Sequence, residues 1–349
     1  MHTNPATPVT VVIVNYNRSA LLHACLVSLM QQEEIRFEVV LVDNGSTDDS
    51  VQMALEKFAG NGRFQLRVIR NKTNLGFCEA NNQGIRVATG EFIALLNNDA
   101  EANPDWLREM WCELAARPDF GMAASKILVY EDPTRIDKAG HLIYLDGQNR
   151  GRGSGEKDRG QYDRVEEILW PDGCAAMYRK AMLDEIGLFD EDLFAYGDDA
   201  ELGLRARIAG WRCIYVPTAV VRHHRGATLG VRSSRRLELI ERNRVLLAVK
   251  HFPLSLLMLN IVFFGIRVLA GLIAAARGKG EVGRYEGFSG KLQVAQALAK
   301  GNWQALTMLP GTWQKRKALN KIRRLSSSET RKLLLRYRIT LRELSEQAI

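Results

Sequence analysis

The chain of 349 residues is 46% apolar and 25% charged, ordinary for a folded globular protein and long enough for about two domains with a large core. Its net charge of +8 hides a split: residues 1–230 carry 25 Lys and Arg against 33 Asp and Glu, whereas residues 231–349 carry 23 against 7. The five cysteines are scattered without a C-x-x-C pair, which argues against a disulfide framework or a structural zinc site and suggests reduced thiols in the cytoplasm.

Residues 1–8 hold no apolar signal region, so export is not expected. The continuous apolar run 9–14 predicts a buried strand, and 21–30 has helical spacing. A strand over 38–43 and a helix over 48–58 follow, with Ser46 or Thr47 as its N-cap. Next come a strand at 66–69, a helix at 75–88, a strand at 91–96, and a helix at 106–116 entered through Pro104. This β-α-β-α order of buried strands predicts an α/β fold, a mostly parallel sheet flanked by helices. Ligands of such sheets gather beyond the carboxyl ends of the strands. Asn15-Tyr16-Asn17, Asp43-Asn44 and Asn97-Asn98-Asp99 all fall there.

Residues 147–160 contain five glycines and read as a mobile loop, either a solvated linker or a lid. Pro171-Asp172-Gly173 reads as a tight turn. A helix is expected over 199–209, with Glu201 and Arg205 spaced to pair, and a strand over 211–216. After 230 a basic helix (232–250) leads to the uncharged run 252–266, then Arg267, then apolar 268–276. Two basic clusters and a helical 331–344 close the chain. The stretch 252–276 exceeds the ~20 residues of a membrane span. Arg267 within it, and the basic residues beyond it, oppose crossing. Helices lying on, or dipping into, an anionic inner-membrane surface are favoured; a single span and a buried helical hairpin stay open.

Several motifs now combine. Val11-Val12-Ile13-Val14-Asn15-Tyr16-Asn17-Arg18 and Val42-Asp43-Asn44-Gly45-Ser46-Thr47-Asp48 resemble the opening of family 2 inverting glycosyltransferases. Asn74-Leu75-Gly76-Phe77 with Asn81, Asn82 and Gly84 does too. Asn97-Asn98-Asp99 resembles a variant of their metal-binding D-x-D motif, with Asn97 at the first Asp. Tyr196-Gly197-Asp198-Asp199-Ala200-Glu201-Leu202 resembles their acidic catalytic motif, and His223-His224-Arg225-Gly226-Ala227-Thr228 a closing His segment. The resemblance covers about residues 8–230 and is strongest to bacterial rhamnosyltransferase-type enzymes of surface polysaccharides.

It implies a GT-A (Rossmann-like) catalytic domain over 1–230 and a basic helical membrane-associating region over 231–349. Asn15, Tyr16, Asn17, Arg18, Asp43, Asn74, Gly76, Asn97 and Asn98 would contact the nucleotide-sugar. Asp99 and His223 would hold Mn2+ or Mg2+, offsetting the charge that grows on a departing diphosphate. Asp199 would be the base for the acceptor hydroxyl, with Asp198 second. Trp170, Asp172, Gly173 and Glu201 would lie on the acceptor side. The expected activity is metal-dependent inverting transfer of a sugar, rhamnose among the candidates, to a lipid-linked glycan at the cytoplasmic membrane face. No nucleic-acid partner is expected. The competing readings are a nucleotidyltransferase on a similar fold and a non-enzymatic protein binding anionic lipid or RNA. The first strand is followed by neither a Gly-rich basic phosphate loop nor G-x-G-x-x-G.

Overall fold

The computed structural model describes residues 7–224, 233–283, 285 and 287–346. Its strands are β1 (Val9–Asn15), β2 (Phe37–Asp43), β3 (Gln65–Arg70), β4 (Phe92–Leu96), β5 (Ala100–Ala102) and β6 (Phe120–Val129). They continue as β7 (Ile136–Lys138), β8 (His141–Ile143), β9 (Asn149–Gly151), β10 (Glu166–Ile168), β11 (Ala175–Arg179) and β12 (Arg212–His223). The main sheet runs β10-β12-β6-β11-β4-β1-β2-β3, with β5 on β12 and β7 on β6. The block β4-β1-β2-β3 is parallel, as the β-α-β-α pattern requires. The rest is mixed, because β11 runs antiparallel to both β4 and β6. The expectation of a mostly parallel sheet therefore holds for the first four strands and gives way to a mixed sheet beyond them.

Side chains alternate across the pleat and divide the core into two layers. Val9, Val11, Ile13, Val39 and Leu41 pack with the helices Ser19–Met30 and Trp106–Ala115 on one face. Val12, Val40, Val42 and Leu95 face the other layer, which holds the helices Gly76–Val87, Asp198–Ile208 and Ser234–His251. The helix Ser50–Phe58 is not capped by Ser46 or Thr47; Asp48 Oδ1 accepts from the Ser50 backbone N–H at 3.1 Å instead.

The glycine-rich stretch is not a solvated linker. It forms β9, paired with β8, and Arg150 within it is buried. The expected domain boundary falls among residues 225–232, which lie outside the described residues, as do Arg225–Thr228 of the closing motif. Beyond them the basic region does not stand apart. Leu246, Leu247, Ala248 and Phe252 join the same core layer as the helix Asp198–Ile208. No described helix is long and apolar enough to cross a membrane.

Candidate active site

A cleft of about 450 Å³ opens where the carboxyl ends of β1, β2 and β4 meet the turn before β11 and the end of β12. Tyr16, Arg18, Asn74, Gly76, Asn97, Asn98, Asp99, Asp172, Gly173, Asp198, Asp199 and His223 all line it. Residues far apart in the chain converge because strand register brings them there. Asn15 pairs with Asp43 at the ends of β1 and β2. The Asn97 backbone N–H donates to Cys174 O at 2.8 Å, joining the turn 171–174 to the end of β4. His223 registers against Ala100 and so stands beside Asp99.

At the donor end, several expected contact residues are builders of the wall. Asn98 Nδ2 donates to Asn15 Oδ1 at 2.7 Å, and Asn15 Nδ2 donates to Ser46 Oγ at 3.1 Å. Asn17 and Arg18 take left-handed backbone, φ 59° and 67°, and Asn17 Oδ1 accepts from the Thr47 N–H. Asn44 is clamped to Asn74, Gly76 and Leu75. Gly76, at φ +86°, sits so close to Phe194 that a Cβ would come within 2.5 Å of its ring. Asn15, Asn17 and Asp43 stand at the ends of β1 and β2 behind the residues that line the cleft. Asp43 Oδ2 accepts from the Ser46 N–H at 3.3 Å, while its Oδ1 is buried without a hydrogen-bond partner among the described residues.

Asp99 is 5% exposed, and its Oδ1 likewise has no hydrogen-bond partner there. His223 Nε2 lies 3.4 Å from that oxygen, and His223 Nδ1 faces Asp137 Oδ2 at 2.8 Å. A carboxylate on the far ring nitrogen is how a metal-ligating imidazole is usually oriented. Burial disfavours the charged ring, but Cys174, Asp137 and Asp99 outweigh it and hold His223 well above its ordinary value. The donor set fits a divalent cation: a buried, hard carboxylate oxygen with no hydrogen bond among the described residues, and an oriented imidazole 3.4 Å away.

In the same cleft, His141 Nε2 is 2.8 Å from Asp172 Oδ2 and 3.3 Å from Asp199 Oδ2. Lys138 Nζ also donates to Asp172 Oδ2. Ligand atoms of His141, Asp172 and Asp199 lie within 4.8 Å of one another, a second group able to hold a cation. The Lys138 ammonium already compensates Asp172 there, which favours the Asp99 end for a metal. Although burial pushes the other way, Lys138 and His141 keep Asp172 well below the usual carboxylate range. Burial raises Asp199, helped by Asp172 and opposed by His141 and Lys138. Burial and the neighbouring Asp199 lift Asp198 to about 8. Carboxylates raised this way are better proton acceptors near neutral pH.

Two acceptor-side assignments are corrected. Trp170 is fully buried against the helix Asp198–Ile208, where a Cβ on Gly203 would come within 2.2 Å of it. Glu201 is fully buried and spent on ion pairs to Arg205 and Lys250, each 2.6 Å, and on His251 Nε2 at 2.9 Å. The predicted Glu201–Arg205 pair is present; its role is structural.

The sequence offered no pattern for Asp137, Lys138 and His141, which sit in and beside short β7 and β8. Nor did it flag Asn243. The turn that presents Asp198 and Asp199 carries Phe194 and Tyr196 at φ 63° and 68°. Asn243 Nδ2, from the helix Ser234–His251, reaches the carbonyls of Leu193, Ala195 and Tyr196 at 3.0, 2.9 and 2.6 Å. Non-glycine residues persist in this conformation only when their surroundings hold them.

Residues 10–187 match the model of glycosyl transferase family 2, about half of the chain. The chain belongs to glycosyl transferase family 2. It is a glycosyltransferase, and the reading as a non-enzymatic binding protein falls. Among its relatives, an uncharacterised protein of Sinorhizobium fredii is 29% identical over 236 residues, covering 64% of this chain but 25% of that longer protein. An N-acetylglucosaminyl-diphospho-decaprenol L-rhamnosyltransferase of Mycobacterium tuberculosis is 28% identical over 250 residues, 63% of this chain and 77% of its own length. A mannosyltransferase of Pyrobaculum calidifontis, solved with GDP-Man and Mn2+, superposes with a TM-score of 0.51 at 19% identity, over 91% of this family 2 chain and 86% of that one. That likeness establishes the shared α/β fold.

Proposed function

We propose that this glycosyltransferase moves a sugar from a nucleoside-diphosphate donor to a hydroxyl of a lipid-linked glycan, with inversion and with a divalent cation. It would act at the cytoplasmic face of the cell membrane in surface-polysaccharide synthesis. One observation supports the reading: Asp99, paired with His223 and with a carboxylate oxygen that has no hydrogen bond among the described residues, and Asp199, with a raised carboxyl, open on the same cleft.

Asp99 and His223 would hold the cation, Mn2+ or Mg2+, with Asp137 fixing the imidazole. When bound, the cation supplies charge compensation for the departing diphosphate. Tyr16 and Arg18 flank the donor end of the cleft. Asp199 accepts the proton of the attacking hydroxyl. A single displacement needs one base, and the oxygen attacks the anomeric carbon from the side opposite the diphosphate. Lys138, His141 and Asp172 keep Asp199 in place, and Asn243 holds the turn that carries it. Rhamnose is the sugar to test first, since the mycobacterial relative is named for that transfer.

The test is a thermal-shift panel of nucleotide-sugars with Mn2+, followed by nucleoside-diphosphate release in the presence of lipid-linked glycans. Stabilisation by one nucleotide-sugar only when Mn2+ is present, with release on acceptor addition, is expected. Stabilisation that ignores Mn2+ would refute the metal assignment.

A further inference from the structure

The helix Asn260–Ala276 has two unlike faces. Arg267, the charge that interrupts the apolar run, turns inward: its Nε donates to Asp146 Oδ2 at 2.5 Å and its Nη2 to Glu241 Oε2 at 2.8 Å. Asn260 Nδ2 donates to the Asp146 carbonyl at 2.9 Å, and Phe263 packs against Tyr144. Burial opposes the charge on Glu241, but Arg267 and Arg244 hold its carboxyl below the ordinary value. The outer face is apolar. Ile261 is 76% exposed and Leu269 60%, Val262, Leu272 and Ile273 lie along the same stripe, and Met258, 81% exposed, ends the short helix Leu254–Met258 just before it. These positions recur at helical spacing on the side away from Arg267. At 17 residues the helix is about 25 Å long, short of the ~30 Å hydrocarbon core. It suits a position in the plane of a membrane interface.

Charge complements the stripe. Arg277 and Lys279 are exposed just past its end, and Arg338 and Arg342 are exposed on the segment packed beside it. Lys279 and Arg342 both approach Glu346, at 3.1 and 3.5 Å, which brings these two basic side chains together at the end of the helix.

The inward face leads straight to the cleft. Asp146 Oδ1 accepts from the Gln148 N–H at 2.9 Å, and Arg244 Nη1 donates to the Asp146 carbonyl at 2.8 Å. Gln148, Asn149, Arg150 and Gly151 then form one wall of the cleft, with Arg244 beside them. The apolar helix and this wall are thus bolted together through Asp146.

We infer that the stripe Met258–Ile273 seats in the interface of an anionic phospholipid bilayer, and that the wall 148–151, fixed to it through Asp146 and Arg267, is the side from which a membrane-borne acceptor enters. The docking stands on the helix alone; the entry route rests on the transferase reading above.

The full chain is mixed with vesicles of phosphatidylcholine plus phosphatidylglycerol, and with pure phosphatidylcholine vesicles, for flotation and hydrogen exchange. Binding to the anionic vesicles is expected, weakened by salt, with new exchange protection over 258–276 and 146–151. The double variant Ile261→Glu/Leu269→Glu, altered only at exposed positions, should lose at least about tenfold in vesicle-bound fraction. Its nucleotide-sugar-induced thermal shift should stay unchanged, which separates docking from the donor site. Absence of vesicle binding, binding that the double variant retains, or protection confined to other segments would overturn the docking. A parent dimer that the double variant converts to monomer would assign the stripe to a second copy instead. Protection over 258–276 without 146–151 would overturn the entry route alone.

Discussion

Two carboxylate clusters lie within one turn of the helix Asp198–Ile208, and they are built for opposite ends. Glu201 is surrounded by Arg205, Lys250 and His251; despite burial, the two cations and the imidazole hydrogen bond hold it well below the usual carboxylate range. Asp198 and Asp199 point to the cleft, where burial without enough opposing charge raises both. Charge compensation makes an anchor, and its shortage makes a proton acceptor. The anchor also ties the helix Ser234–His251, and with it Asn243, to the turn that presents the base. A tight structural ion-pair group therefore supports a loosely compensated carboxylate pair at the cleft.

This contrast can be broken at either end. Asp199→Asn should lower turnover by about a thousandfold, within the range for a removed general base, while leaving the melting temperature unchanged or higher. Steady-state rates and calorimetry would read this; near-parental turnover would reject Asp199 as the base. Glu201→Ala should act in the other currency. It leaves Arg205 in the core without a carboxylate partner and Lys250 with Asp190 alone, and should cost about 3–5 kcal/mol in denaturant unfolding, with donor affinity of the remaining folded fraction intact.

Subtler variants sharpen the contrast through pH. Asp198 has a folded-state value near 8, above its ordinary one. Its stabilising contribution is therefore complete below pH about 4 and lost as pH rises through that window. Asp198→Asn cannot ionise, so its stability relative to the parent should climb from acid toward pH about 8 and then level off. A flat difference would contradict the raised value. The smallest effect belongs to His251, which burial lowers to about 4 against the pull of Glu201. That contribution is present above pH about 6.5 and lost as pH falls toward 4. His251→Gln should flatten that acid limb in melting curves and little else.

The same contrast explains what could be read from residue order. β1 to β4 and their helices were legible because unbroken apolar runs and helical spacing are local signals. Asp99, Asp198, Asp199 and His223 were legible because they sit in short motifs at strand ends or helix starts. Glu201 sits in the same motif as Asp199, and only its surroundings, contributed by Lys250 and His251 some fifty residues on, separate anchor from base. Asp137, Lys138 and His141 lie in three-residue strands, too short for any period to show. Arg267 reads as a defect in an apolar run until Asp146, distant in sequence, is brought beneath it.

On the proposed reading the cleft divides into a metal and donor end at Asp99 and a proton-accepting end at Asp199. Calorimetric titration of the stabilising nucleotide-sugar, with and without Mn2+, into the parent, Asp99→Ala and Asp199→Asn tests it most directly. The Mn2+-dependent part of the affinity should vanish in Asp99→Ala and survive whole in Asp199→Asn. Equal loss in both variants, or parental Mn2+ dependence in Asp99→Ala, would contradict it.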